Sequence, residues 1–250
     1  MSVTMLIVTA MVFTLAGFIK GVIGLGLPTV SVGLLAVAMP PAHALAIVIV
    51  PAIITNIWQT FAGPYLRDIV RRLWPLMLGT VIGILSGAGL MTGPYARFGT
   101  IILGVLLVIY AIVGLRKVHF TVDRPHEKWI GGIVGLVTGV VSAATGVQVI
   151  PSMPFMQAIG LEKDELVQAL GVFFTTATFA LAFNLTSAGL MDASTVIPGV
   201  IAMAGSFTGM ALGQTVRSRM DANTFRQWFL IAMLLLGIYL AGIAIDKMLT

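Results

Sequence analysis

The chain has 250 residues, of which 58% are hydrophobic and only 9% charged, with a mean hydropathy of +1.06. A soluble domain carries about 25% charged residues. So little charge cannot cover a globule with polar surface, and lipid is the expected solvent for most of this chain. The formal charge of +5 raises nucleic acid as a partner. The basic residues, however, sit in short loops between apolar runs, which is the positive-inside signature of a membrane protein, and nucleic acid is set aside. There is no cysteine, which removes disulfides, thiol catalysis and thiolate metal sites. His43, His119 and His126 are too scattered for a metal cluster, so neither a metal nor a cofactor is expected.

The first four residues carry no basic segment, and the apolar run after them outlasts a signal peptide, so it reads as a retained membrane segment. Apolar runs fall at about 4–20, 22–38, 42–62, 73–91, 98–115, 129–145, 146–160, 166–187, 194–215 and 227–245. Most are near the ~20 residues that cross the hydrocarbon as a helix. Strands are not expected, since the runs lack two-residue alternation. The pairs 4–20/22–38 and 129–145/146–160 differ from the rest: each is one apolar stretch broken by Gly, Pro and small polar residues.

The sequence also repeats. Gly17-Phe18-Ile19-Lys20-Gly21-Val22 resembles Gly135-Leu136-Val137-Thr138-Gly139-Val140. Tyr95-Ala96-Arg97-Phe98 followed by Leu106–Tyr110 resembles Phe225-Arg226-Gln227-Trp228 followed by Leu235–Tyr239. The expected fold is all-α: a polytopic helical bundle of two homologous repeats, residues 1–116 and 129–250, joined by a hydrophilic linker over 117–128. If each broken stretch reverses direction, as two passes or a re-entrant hairpin, each half crosses an odd number of times and the repeats are inverted. The loops 63–72, 116–128, 161–165 and 216–226 then lie on one side with 11 Lys/Arg, against Arg97 and Lys247 on the other. If each broken stretch crosses once, the split falls to 8 and 5. The stronger bias favours inverted repeats with 63–72, 116–128 and 216–226 cytoplasmic, in a bacterial inner membrane.

Inverted repeats with helices broken near mid-membrane are a recurring transporter plan. A break exposes backbone that lipid cannot satisfy, so it persists only where it is buried in protein or lines a cavity. The first break is Gly21-Val22-Ile23-Gly24-Leu25-Gly26-Leu27-Pro28-Thr29. Pro28 fits the first turn of a new helix, and the glycines let the chain turn and a ligand approach. A half-helix N-terminus there would suit an anion. The second break, Thr138 to Pro151, holds Gly139, Ser142, Thr145, Gly146 and Gln148, whose hydroxyls and amide are neutral donors for an oxyanion. Against this, Gly, Ser and Thr also permit close helix packing, and Gly17-xxx-Gly21 is open to that reading.

Lys20 is the one Lys or Arg outside the loops. An ionisable side chain within a membrane segment is a functional candidate, here to balance an anionic substrate. The bland alternative is a side chain snorkelling to the headgroups. Thr138 holds the matching place in the second half. Further polar residues fall on the third segment of each half: Thr55, Asn56 and Gln59 after Pro51, then Gln168, Thr175, Thr176 and Thr178. Asn56 and Gln59 share a helix face. These are expected to line a shared cavity, although they can also simply bond across helices. Trp58 and Trp74 read as interfacial anchors, and the 14 Met as packing filler.

Over its whole length the chain resembles the TauE/SafE group, membrane proteins described as sulfite or organosulfonate exporters and as sulfonate permeases. The resemblance rests on Gly17–Thr29, on the second copy around Gly139–Pro151, and on chain length and two-copy layout. The family's glycine cluster is denser: Leu25 interrupts the first copy here, and Ser142–Gly146 replaces most of the second. The resemblance implies a secondary transporter of a small anion such as sulfite, a sulfonate or a related organic anion. An anion channel, or a transporter of a different small solute, is the alternative. A membrane enzyme is not expected, since no His, Asp, Glu or Cys constellation lies at membrane depth. The expected partners are the small anion and the lipid bilayer; coupling to a proton or sodium ion and uniport both stay open, since no carboxylate lies clearly mid-membrane, and a homodimer is compatible with the reading.

Overall fold

A computed structural model describes residues 3–91, 98–116, 121–161, 163–191, 195–217 and 222–249. Tyr95 and Arg97, His119 with residues 117–120 of the linker, Glu162, Asp192, Asp221 and residues 218–221 lie outside them, as does the Lys247 side chain. The described chain is all-helical: α1 (Val3–Ile23), α2 (Leu27–Leu35), α3 (Pro41–Thr60), α4 (Leu66–Ser86), α5 (Gly99–Leu115), α6 (Glu127–Thr145), α7 (Ser152–Ala158), α8 (Lys163–Ser187), α9 (Val196–Arg217) and α10 (Ala222–Leu249). Seven of them are long and apolar enough to cross a membrane, and α5 is a shorter apolar helix of 17 residues. The chain is therefore a multi-pass membrane protein. Its outward surface fits lipid: Val3, Ile7, Met11 and Leu15 form one exposed stripe on α1, and Trp74, Leu78 and Ile82 another on α4. In water such bands would be an aggregation surface.

The boundaries differ from expectation in two informative places. The breaks are shorter and later than the sequence pattern suggests. Helix α1 runs through Lys20 and Gly21 to Ile23, and the turn is made at Gly24 and Gly26, whose φ values of 80° and 106° favour glycine. Pro28 lies in the first turn of α2, as expected. Helix α6 likewise carries Thr138, Gly139, Ser142 and Thr145 in continuous helix and ends at Gly146, φ 76°. The helix after each break is brief. At ~1.5 Å per residue, α2 and α7 are too short to cross the ~30 Å of hydrocarbon. The second difference is α4, which begins at Leu66 and takes in Arg67, Arg71 and Arg72 of the expected 63–72 loop. Its Ile69, Leu73 and Leu76 recur at helical spacing and are buried, so the apolar face draws the arginines into helix.

Helix packing is built on glycine. On α1 and α9, the backbones of Thr14 and Gly209, and of Phe18 and Gly213, meet directly. On α4 and α6, Leu76 meets Gly135 and Thr80 meets Gly139. Both pairs run parallel. By contrast α3 and α8 run antiparallel, with Asn56 beside Thr178 and Thr60 beside Thr175. Helices α5 and α10 are also antiparallel, with Gly104 against Gly237 and Gly114 against Leu230. A Cβ at Gly135 would strike the Leu76 carbonyl oxygen, whereas Gly199 has open space around it. Gly135→Leu is therefore expected to cost at least ~1–3 kcal/mol of bundle stability and Gly199→Ala nearly nothing, read as melting temperature in detergent.

Candidate functional site

Lys20 sits in the last turn of α1 and is 5% exposed. It does not snorkel: its Nζ donates inward to Asn56 Oδ1 at 2.5 Å and Thr55 Oγ1 at 3.0 Å on α3. The Thr55 hydroxyl spends its own proton on the Pro51 carbonyl at 2.7 Å, which leaves its oxygen free to accept. Asn56 Nδ2 then donates to Thr178 Oγ1 on α8 at 3.4 Å. Gln148, in the segment between α6 and α7, donates Nε2 to the same oxygen at 3.4 Å. Four of the expected site residues, Lys20, Asn56, Gln148 and Thr178, thus converge from α1, α3, α8 and the second break.

Two features set this cluster apart. The Lys20 amino group meets only neutral oxygens, and no Asp or Glu among the described residues bonds to it. A buried charge without a counter-charge is costly. The Gln148 Oε1 atom, in a residue 3% exposed, has no hydrogen-bond partner. Both bonds to Thr178 lie at the long limit for a hydrogen bond and are weak, so the two amides are readily exchanged onto a ligand.

The remaining expected residues are placed elsewhere. Gln59 donates to the carbonyls of Gly24 at 3.1 Å and Val167 at 2.7 Å, and Gln168 to those of Thr60 at 2.8 Å and Gly63 at 2.7 Å. Gln168 Oε1 also accepts from the Tyr65 amide at 2.8 Å. These short bonds make both glutamines staples of the first break and of the α3 terminus. Ser142 donates to Thr138 O and Val147 O, and Thr145 Oγ1 accepts from Val147 N, which stitches the second break. Thr138 bonds to its own helix at Val134 O. Thr175 pairs with Thr60 across α8 and α3, and Thr176 turns to Met77 Sδ on α4. Gly21 and Gly139 face the backbones of α9 and α4, so the packing alternative holds at these two positions. Gly24, Gly26 and Gly146 make the turns, and Pro28 and Thr29 are buried in the first turn of α2.

A family model described as sulfite exporter TauE/SafE matches residues 9–240. The chain belongs to this family. TauE/SafE proteins are membrane transporters, not enzymes, and the multi-pass helical bundle agrees with that. Searches among curated proteins and among solved structures found no match to this TauE/SafE chain.

Two features of this TauE/SafE chain carry no sequence signal as site elements. Thr55 is one of several polar residues of α3, and nothing in its spacing marks it as the Lys20 acceptor. A cavity of about 330 Å³ lies at the other end of α1, lined by Met5, Met39, Pro40, His43, Ile47, Thr195 and Pro198. Met5 and Lys20 are separated by ~22 Å of helix at 1.5 Å per residue. His43 is the one titratable side chain in that lining, with Thr195 and otherwise apolar residues, which is why no motif announces it.

Proposed function

We propose that this protein is a secondary transporter of a small oxyanion, sulfite, a sulfonate or a related organic anion, across a bacterial inner membrane. The substrate binds at Lys20, Asn56, Thr178 and Gln148. The observation that carries the reading is the buried Lys20 amino group, held by the oxygens of Thr55 and Asn56, with the amide nitrogens of Asn56 and Gln148 next to it and no carboxylate bonded to it among the described residues. A protonated Lys20 with those amide N–H groups can neutralise and hydrogen-bond an anion, and its charge repels a cation.

The architecture in this reading is a pair of inverted repeats, 1–116 and 129–250, joined by the linker 117–128. Matching α1–α5 with α6–α10 turns the α1/α9 contact into the α6/α4 contact, and the mates α3/α8 and α5/α10 run antiparallel. The cavity that holds both Met5 and Met39 supports a first broken stretch that reverses direction. Under this topology the arginine-rich start of α4 is cytoplasmic. Trp58, Trp129 and Trp228, all exposed near helix ends, then share that side as interfacial anchors. Two halves meeting at the site can rock to alternate its access. In this reading a proton or sodium ion couples the flux.

Purified protein in liposomes tests the function. Labelled methanesulfonate or sulfite is expected to enter with saturable kinetics and to be blocked by excess unlabelled anion. Flux that rises linearly with concentration would point to the channel alternative, and no flux above empty liposomes would sink the transporter reading for these anions.

A further inference from the structure

We infer that the ligand of the Lys20 site is a singly charged oxyanion that also carries a hydroxyl donor and no second ionised group. The inference rests on the proposed anion site and counts its charges and lone pairs. Among the described residues one cation faces the network: the groups bonded to Lys20 Nζ are Thr55 and Asn56 on α3, with Thr178 on α8 and Gln148 at the second break behind them. All four are neutral. Glu127, on α6, is taken by Arg72 Nε at 2.8 Å and Nη2 at 2.6 Å. A monoanion therefore makes a neutral complex with Lys20. A second negative charge would have no cation, and a ligand ammonium would have no carboxylate, and each would be buried unpaired.

The hydroxyl requirement comes from Gln148 Oε1. It is a buried acceptor with no donor, on an amide that already touches the network through its nitrogen. An O–H on the ligand satisfies it, while an aliphatic group leaves it unsatisfied. Swapping the amide's oxygen and nitrogen would leave an NH group unpartnered instead, and a ligand hydroxyl, which accepts as well as donates, satisfies that arrangement too.

A matched series decides the matter: ethanesulfonates whose far end is hydroxyl, methyl, ammonium or carboxylate, with affinity read by isothermal titration on the full-length protein in detergent. The hydroxyl form is expected to bind tightest, the methyl form at least about threefold weaker, and the ammonium and carboxylate forms at least about tenfold weaker. In Gln148→Met the hydroxyl and methyl forms are expected to become equal. If the ammonium or carboxylate form binds as tightly as the hydroxyl form, and Lys20→Met abolishes that binding, the charge count is wrong while the anion site stands. If the hydroxyl preference survives in Gln148→Met, the role of Oε1 is overturned. If none of the series binds, or binding ignores Lys20→Met, the anion-site reading itself fails.

Discussion

Lys20→Met is expected to lower anion transport by at least about 30-fold while the bundle remains folded. Removing one partner of a buried charge-assisted contact costs about 2–5 kcal/mol of binding, and 1.4 kcal/mol is tenfold. The fold is expected to survive because Met keeps most of the side-chain volume and removes a buried charge that the protein alone does not pair. The Thr55 and Asn56 oxygens lose a donor, which limits any gain in stability. Flux in liposomes and melting temperature in detergent read the two halves of this expectation separately. A variant that unfolds would make Lys20 a structural residue. A folded variant with full flux would remove it from the substrate path.

The second large effect concerns Arg72. Its guanidinium grips Glu127 with two bonds, and Nη2 also reaches the Ile159 carbonyl at 2.6 Å. One side chain thereby ties α4 to the start of α6 and to the end of α7, next to the second broken segment. The Arg72 side chain is 23% exposed and Glu127 8%, so water screens the pair in part. Arg72→Met strands the Glu127 carboxylate and is expected to cost about 1–3 kcal/mol, less than a fully buried pair would. The double variant Arg72→Met/Glu127→Met removes both charges and is expected to recover much of the loss. Equal melting temperatures for wild type, single and double variants would mean that the ion pair contributes nothing to holding α7.

Much of this molecule was legible because lipid imposes a simple code. Charge-poor runs of about 20 residues had to be helices, and the Gly-rich break with Pro28 had to start a new helix after a turn. The placing of the breaks was less legible. Gly21 and Gly139 look like hinge residues in sequence, yet both are packing residues, because a glycine inside a helix permits a close neighbour as readily as it permits a turn. Only φ values separate Gly24 and Gly26 from Gly21, and φ is not written in composition.

The candidate site was legible as a set of residue types and illegible as a geometry. Lys20 stood out because it is charged and lies in an apolar run. Which of the many Thr, Asn and Gln residues would meet it depends on the antiparallel register of α3 and α8, a contact between residues some 120 positions apart. Gln59 and Gln168 resemble Asn56 and Gln148 in sequence. They differ in that each spends its amide nitrogen on two backbone carbonyls, while Gln148 keeps an unused acceptor. Expecting one shared cavity from all of them overlooked how many carbonyls two helix breaks and an exposed helix end leave to be satisfied.

Locating a bound anion tests the Lys20 site most directly. Bromomethanesulfonate is a monoanion whose bromine scatters anomalously, and crystals of the protein soaked in it would carry a position marker. An anomalous peak is expected within about 5 Å of Lys20 Nζ, among Asn56, Thr178 and Gln148, within reach of charge-assisted hydrogen bonds to the sulfonate. A peak in the His43 cavity with none near Lys20 would contradict it, and would move the search for the substrate path to the opposite end of α1.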